Sequence, residues 1–142
     1  VIRWETRSRA RALQMLYAWE LQRGVAGSDI AMHDVASGLA RLTGPQPRVF
    51  DGAEALAIAV MNDVEVLDRE ATAAADNWRL GRIAAVERNI LRLGIHELRH
   101  ETVPPKVAID EAVRLARWFA GARAPGFVNG VLDQVARRLG RL

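Results

Sequence analysis

ERNILRLGIHELRHETVPPKVAIDEAVRLARWFAGARAPGFVNGVLDQVA, residues 87–136, carries the pattern that decides the fold. Apolar residues return at helical intervals through it. Ile109, Ala112, Val113, Ala116 and Phe119 make one stripe, and Val128, Val131, Leu132, Val135 and Leu139 continue a second. TVPP (residues 102–105) and GARAPG (residues 121–126) interrupt them, because a proline pushes the residue before it out of the helical region. The spacing predicts helices over Ala85–His100, Val107–Ala120 and Phe127–Leu139. Gly130 is expected to let a neighbouring helix approach, and Gly94 to do the same within its own helix.

Working outward, the rest of the chain reads as helical too. Ala, Leu, Arg and Glu dominate, and no sustained alternation of β-branched residues is present. Thr6 or Ser8 is placed to open a first helix that carries Ala10, Leu13, Leu16, Tyr17 and Leu21 on one side and stops at Gly24. Tyr17 is expected in the core. A second helix begins near Ser28 and Asp29 and holds Ile30, Val35 and Leu39. TGPQPR, residues 43–48, reads as a loop. From Val49 to Ala75 a long helix shows Leu56, Val60, Val64, Leu67 and Ala71, close to a seven-residue beat. A short segment near Leu80 follows. The expectation is an all-α protein of about seven helices, in two helical-bundle halves (residues 1–75 and 76–142, with a seam at residues 76–81) that form one compact domain.

Length and composition bound the function. A chain of 142 residues buries enough apolar surface to fold as one domain without staples. It has no cysteine, which removes disulfides, thiolate metal sites and cysteine nucleophiles. No apolar run approaches a membrane span and no leader pattern opens the chain, so no membrane partner and a cytoplasmic location are expected. The net charge is only +3. Its distribution is uneven, however: Arg3, Arg7, Arg9, Arg11 and Arg23 dominate the first segment, and Arg117, Arg123, Arg137, Arg138 and Arg141 the last, around an acidic middle. Two basic ends suit a localised anionic partner such as RNA.

HELRH, residues 96–100, matches the H-E-x-x-H pattern, in which two histidines on one helical face hold Zn²⁺ and the glutamate activates water. A zinc hydrolase needs a third protein ligand. One common continuation calls for a glycine at position 103 and a histidine at position 106, where this chain has Val103 and Lys106. Downstream, Asp110 and Glu111 come too soon, and His33 lies far back. The helix must also end near His100, ahead of the prolines. His96 is therefore read as a half-buried ring and His100 as a last-turn residue whose positive charge suits the helix dipole. No metal and no catalytic residue are expected.

The first helix carries a different chemistry. At about 100° per residue, Arg7, Arg11 and Gln14 fall on one face, joined by Arg3 if the helix extends back that far, whereas Arg9 projects elsewhere. Such a strip offers guanidinium forks to phosphate oxygens and an amide to a base edge.

Several blocks carry a family likeness. They are Glu87-Arg88 with Ile90-Leu91-Arg92, Glu97-Leu98, Pro105-Lys106-Val107-Ala108-Ile109 with Glu111-Ala112, and Phe127-Val128-Asn129-Gly130-Val131-Leu132-Asp133. Arg7, Arg9, Gln14, Leu16 and Tyr17 add to them near the start. With this set the chain resembles the NusB family of bacterial transcription antitermination factors over essentially its whole length. The resemblance implies no enzyme and no cofactor. It implies a protein that pairs with the ribosomal protein NusE, binds the boxA element of nascent ribosomal RNA leaders and joins an RNA polymerase antitermination complex. By the same resemblance the opening helix (Arg3, Arg7, Arg9, Arg11, Gln14) and the segment before the last helix bind RNA, with Arg123 on phosphate and Phe127 stacking. The stretch Asp76 to Arg92, including Glu87, Arg88 and Arg92, supplies partner surface. The chain departs from the family in a thinner opening arginine run, in His96 where tyrosine is usual, and in Asp110 where asparagine is usual. Two other readings stand beside this one: the RNA-binding domain of an rRNA cytosine-methyltransferase, and a homodimeric relative with an RNA-binding role.

Overall fold

The computed structural model describes residues 3–23, 31–44, 46–75, 83–101 and 103–142. Among the described residues there are seven helices and no strand: α1 (Trp4–Arg23), α2 (Met32–Thr43), α3 (Pro47–Asn62), α4 (Val64–Ala74), α5 (Ala85–His100), α6 (Pro105–Phe119) and α7 (Ala124–Arg138). The all-α expectation holds. The chain divides into two compact units, Val1–Asn62 and Asp63–Leu142. The division falls ahead of the expected seam at residues 76–81, which lies outside the described residues, as do Leu80, Gly24 and the Ser28–Asp29 start of the second helix. The long helix expected over residues 49–75 is interrupted at Asp63, whose φ of −106° and ψ of 12° leave the α-helical basin, so α3 and α4 are separate.

In the first unit α1 packs on α3, and α2 packs on both. The buried apolar residues are Ala10, Ala12, Leu13, Met15 and Leu16 of α1, Met32 and Ala36 of α2, and Val49, Phe50, Ala53, Ala57 and Val60 of α3. Many are small, which suits close approach of helix backbones. Ser8 is buried and donates its hydroxyl to the Val49 carbonyl at 3.0 Å. A Cβ on Gly52 would come within 3.2 Å of the Ser8 hydroxyl, so glycine fits the crossing there. Thr6 and Ser8 are therefore interior residues of α1, which starts at Trp4, rather than its cap. Tyr17, expected in the core, is 38% exposed.

The second unit is built around α5, which packs against α4, α6 and α7. Every residue from Asn89 to Ile95 is buried, so α5 is covered on all sides. A Cβ on Gly94 would lie 2.6 Å from Cδ1 of the fully buried Leu132, which accounts for glycine where α7 meets α5. Gly130 differs: nothing lies within 4 Å of its would-be Cβ, so the expected close approach occurs at Gly94 and not there. Phe119, placed by periodicity in the α6 stripe, is 40% exposed at the helix end. Two helices begin earlier than the pattern predicts, α6 at Pro105 and α7 at Ala124 with Pro125 next, because a first turn has no use for the N–H that proline lacks. Arg141 donates to the carbonyls of Leu98 (2.6 Å) and Val103 (3.2 Å), satisfying backbone oxygens where α5 ends. Glu101 follows in the left-handed conformation, φ 54°. No described helix is long and apolar enough to cross a membrane.

Candidate nucleic-acid interface

The exposed side of α1 is where the structure gathers cationic side chains. Arg7, Arg11 and Gln14 fall within an arc of about 60° on the helix, and Arg3 stands just before its first residue, its carbonyl accepting from the Arg7 N–H at 3.2 Å. Arg3 and Arg7 are exposed, and Arg11 and Gln14 half-buried. The buried residues flank that arc on both sides. The helix can therefore pack through Leu13, Met15 and Leu16 and still leave this strip to solvent. Arg11 donates from Nη1 to the Gln14 side-chain oxygen at 2.8 Å, which fixes the amide with its N–H₂ group still available to a ligand. Arg3 lies 3.5 Å from Glu5 in a largely exposed pair that a phosphate can displace at little cost. Arg9 is half-buried on another side of α1, as its phase predicts.

One feature of this face is missed by a search for arginines alone. Trp4 shares the edge of the same arc, and the Arg48 guanidinium, from α3, sits 4.0 Å from its ring centroid. The indole is 38% exposed, so a flat aromatic surface backed by a cation borders the arginine strip. Its signal in the sequence is the spacing, since Trp4 precedes Arg7 by three and Arg11 by seven residues.

In the second unit, Arg123 is the exposed residue that precedes α7, and Phe127 is half-buried one turn later. The Phe127 N–H donates to the Arg123 carbonyl at 3.3 Å, so the two belong to the same turn. Glu87 and Arg88 stand half-buried in the first turn of α5, with Arg88 donating to the Ile83 carbonyl at 2.6 Å. Arg92, expected on the partner surface with them, is an interior residue, 4% exposed. Its guanidinium clasps the Asp68 carboxylate through Nε (2.7 Å) and Nη2 (2.9 Å) and donates from Nη1 to Asn89 (3.0 Å). Asn89 in turn donates to the Ala85 carbonyl at 2.9 Å. A guanidinium so fully engaged ties α4 to α5 and has no face to offer a partner.

His96 is half-buried, as expected, and His100 is the last residue of α5. Burial, followed by the neighbouring His100, pushes the His96 imidazole below its ordinary pKa of 6.5. Glu97, the would-be catalytic base of HELRH, is buried.

A family model described as the NusB family matches residues 6–137. The transcription antitermination protein NusB of Sorangium cellulosum is 41% identical over 136 residues, covering 94% of this chain and 92% of that protein. Among solved structures, T. maritima NusB superposes with a TM-score of 0.79 at 26% identity, covering 93% of this chain and 89% of the other. A chain in the crystal structure of the antitermination factors NusB and NusE with double-stranded RNA gives a TM-score of 0.80 at 24% identity, over 97% and 99% of the two chains.

Proposed function

The chain belongs to the NusB family, and from that premise we propose that it is a transcription antitermination factor that binds boxA RNA of nascent ribosomal transcripts together with NusE. The observation that carries the reading is the exposed strip Arg3, Arg7, Arg11 and Gln14 on α1. Guanidinium groups in a row neutralise successive phosphates, a held amide reads a base edge, and the Trp4 ring beside them offers a surface on which a base stacks. Arg123 and Phe127 add a phosphate contact and a stacking contact from the turn that opens α7. Glu87 and Arg88 contribute to the NusE surface, with Arg92 holding α5 and α4 in place behind them. In this role the whole chain acts as one RNA-binding domain in the cytoplasm, within an RNA polymerase antitermination complex.

The test is a titration against boxA RNA and a scrambled RNA over a range of salt, with and without NusE. Tighter binding to boxA that strengthens with NusE is expected. Each phosphate contact removed by Arg7→Ala or Arg11→Ala lowers the dependence of log K on log salt by about 0.7 for single-stranded RNA. Equal, purely salt-driven binding to both RNAs, unchanged by NusE, would overturn the reading in favour of a methyltransferase-type RNA domain or a homodimeric relative.

A further inference from the structure

Neither the acids that follow HELRH nor His33 far ahead of it supplies a third ligand in the sequence, but the fold brings Asp63 to it. Asp63, the residue that interrupts α3 and α4, brings its carboxylate to the C-terminal end of α5. One ligand atom each from Asp63, His96 and His100 lie within 4.8 Å of one another. We propose that Asp63, His96 and His100 form a binding site for a divalent transition-metal ion of the zinc type.

The spacing is close to what coordination requires. Ligand atoms held tetrahedrally at Zn–N and Zn–O distances near 2.0–2.1 Å are about 3.4 Å apart. His100 Nε2 and Asp63 Oδ2 are 3.6 Å apart, and the His96 and His100 rings, one helical turn apart, have centroids at 4.3 Å. The Asp63 carboxylate is not consumed by the helix behind it, since it makes no capping bond to α4. His96 adds an independent sign: its Nδ1 is shut off from solvent and has no hydrogen-bond partner. A buried imidazole nitrogen without a partner is an uncommon arrangement, and ligation gives the ring a role that explains its position. Two imidazoles and one carboxylate leave a coordination position open and select borderline ions over magnesium or calcium, which prefer all-oxygen shells.

Glu97, which in the H-E-x-x-H pattern is a base and not a ligand, is buried, and the role of the ion is to hold two helices together. A bound ion pins the start of α4 to the end of α5, which raises the thermal stability of the Asp63–Leu142 unit with the logarithm of the free-ion concentration above the dissociation constant.

The experiment is a Zn²⁺ titration of the full chain, freed of any histidine tag, by competition with a chromophoric chelator and by thermal unfolding. Visible absorption of the Co²⁺-loaded protein reports the coordination geometry. One equivalent per chain, a rise in Tm with Zn²⁺ and Co²⁺ bands of tetrahedral or five-coordinate intensity are expected. Second-shell partners alone contribute about 10–100-fold to metal affinity, so losing a ligand should weaken binding at least about tenfold. That loss is expected in Asp63→Asn, which preserves the shape of the side chain, and in His100→Gln. His33→Gln, at the exposed pair that His33 makes with Glu54, leaves binding unchanged. No stoichiometric binding, binding indifferent to Asp63→Asn, or binding lost in His33→Gln would each overturn the site. Circular dichroism of Asp63→Asn separates a lost ligand from a lost fold.

Discussion

α1 and α5 are the principal helices of their respective units and are built on opposite plans. α5 is buried all round from Asn89 to Ile95, and the charged residue within that stretch, Arg92, is matched by Asp68. α1 buries small and hydroxylated residues, Thr6, Ser8, Ala10 and Ala12, beside Leu13, Met15 and Leu16, and leaves an arginine face to solvent. Where a helix is wrapped on all sides, as α5 is from Asn89 to Ile95, it has no surface left for a ligand. A helix that packs through small residues keeps close contact with its neighbours on part of its circumference and frees the rest for RNA. The contrast predicts that substitutions between Asn89 and Ile95 act on stability and those on the outer face of α1 on binding.

The largest effect is expected at Arg92. Arg92→Ala leaves Asp68 and Asn89 without their partner, and because the Asp68 carboxylate keeps some solvent access the cost is about 2–3 kcal/mol, at or below the low end for buried pairs. Urea unfolding measures it, and amide exchange should place the loss in residues 63–142. A loss below about 0.5 kcal/mol would show that α5 is not the structural centre the comparison makes it.

Gly94→Ala comes next. The added methyl meets Leu132 at 2.6 Å in a packed interior, a form of overpacking that costs about 1–3 kcal/mol. Combining it with Leu132→Val should restore part of the loss, and absence of any rescue would mean that the strain lies elsewhere. In the first unit, Ser8→Ala removes the bond to the Val49 carbonyl, which keeps its place in the α3 ladder, for a loss of about 0.5–1.5 kcal/mol. This change sharpens the contrast, because it strikes the packed side of α1 and should leave RNA affinity intact once the protein is folded. The smallest effect on stability belongs to Arg7→Ala with Arg11→Ala, within about 0.5 kcal/mol as for most surface changes. The same pair should show the largest loss of RNA binding, and a double variant that unfolds the first unit without touching RNA affinity would invert the comparison.

The elements legible in the sequence were those set by local chemistry. α5 ended ahead of TVPP where it was expected to, since proline restricts its immediate neighbours, and α6 ended ahead of GARAPG, whose proline opens α7. The first-turn prolines are the reason α6 and α7 reach two or three residues further back than the apolar stripes suggest. The Arg7, Arg11 and Gln14 strip was legible because phase around a helix follows from residue number alone. The same phase places Trp4 at the edge of the strip, but the Arg48 cation behind its ring comes from another helix and was not legible. Tyr17 and Phe119 were placed in the core by periodicity and stand partly in solvent, because periodicity assigns a residue to a face and does not say how far along the helix a neighbour continues to cover it.

The sequence by itself determined the all-α class, the helix breaks, the arginine face of α1 and the resemblance to the NusB family, all of which rest on residue type and spacing within short windows. The tertiary structure alone decided that Arg92 turns inward to Asp68, that Gly94 and not Gly130 yields space to another helix, that Ser8 bonds across to α3, and that Asp63 joins the two histidines of HELRH. Each of these joins residues at least 24 positions apart. Such pairings depend on where helices cross, and the crossing is set by the fit of whole side-chain surfaces rather than by any local pattern.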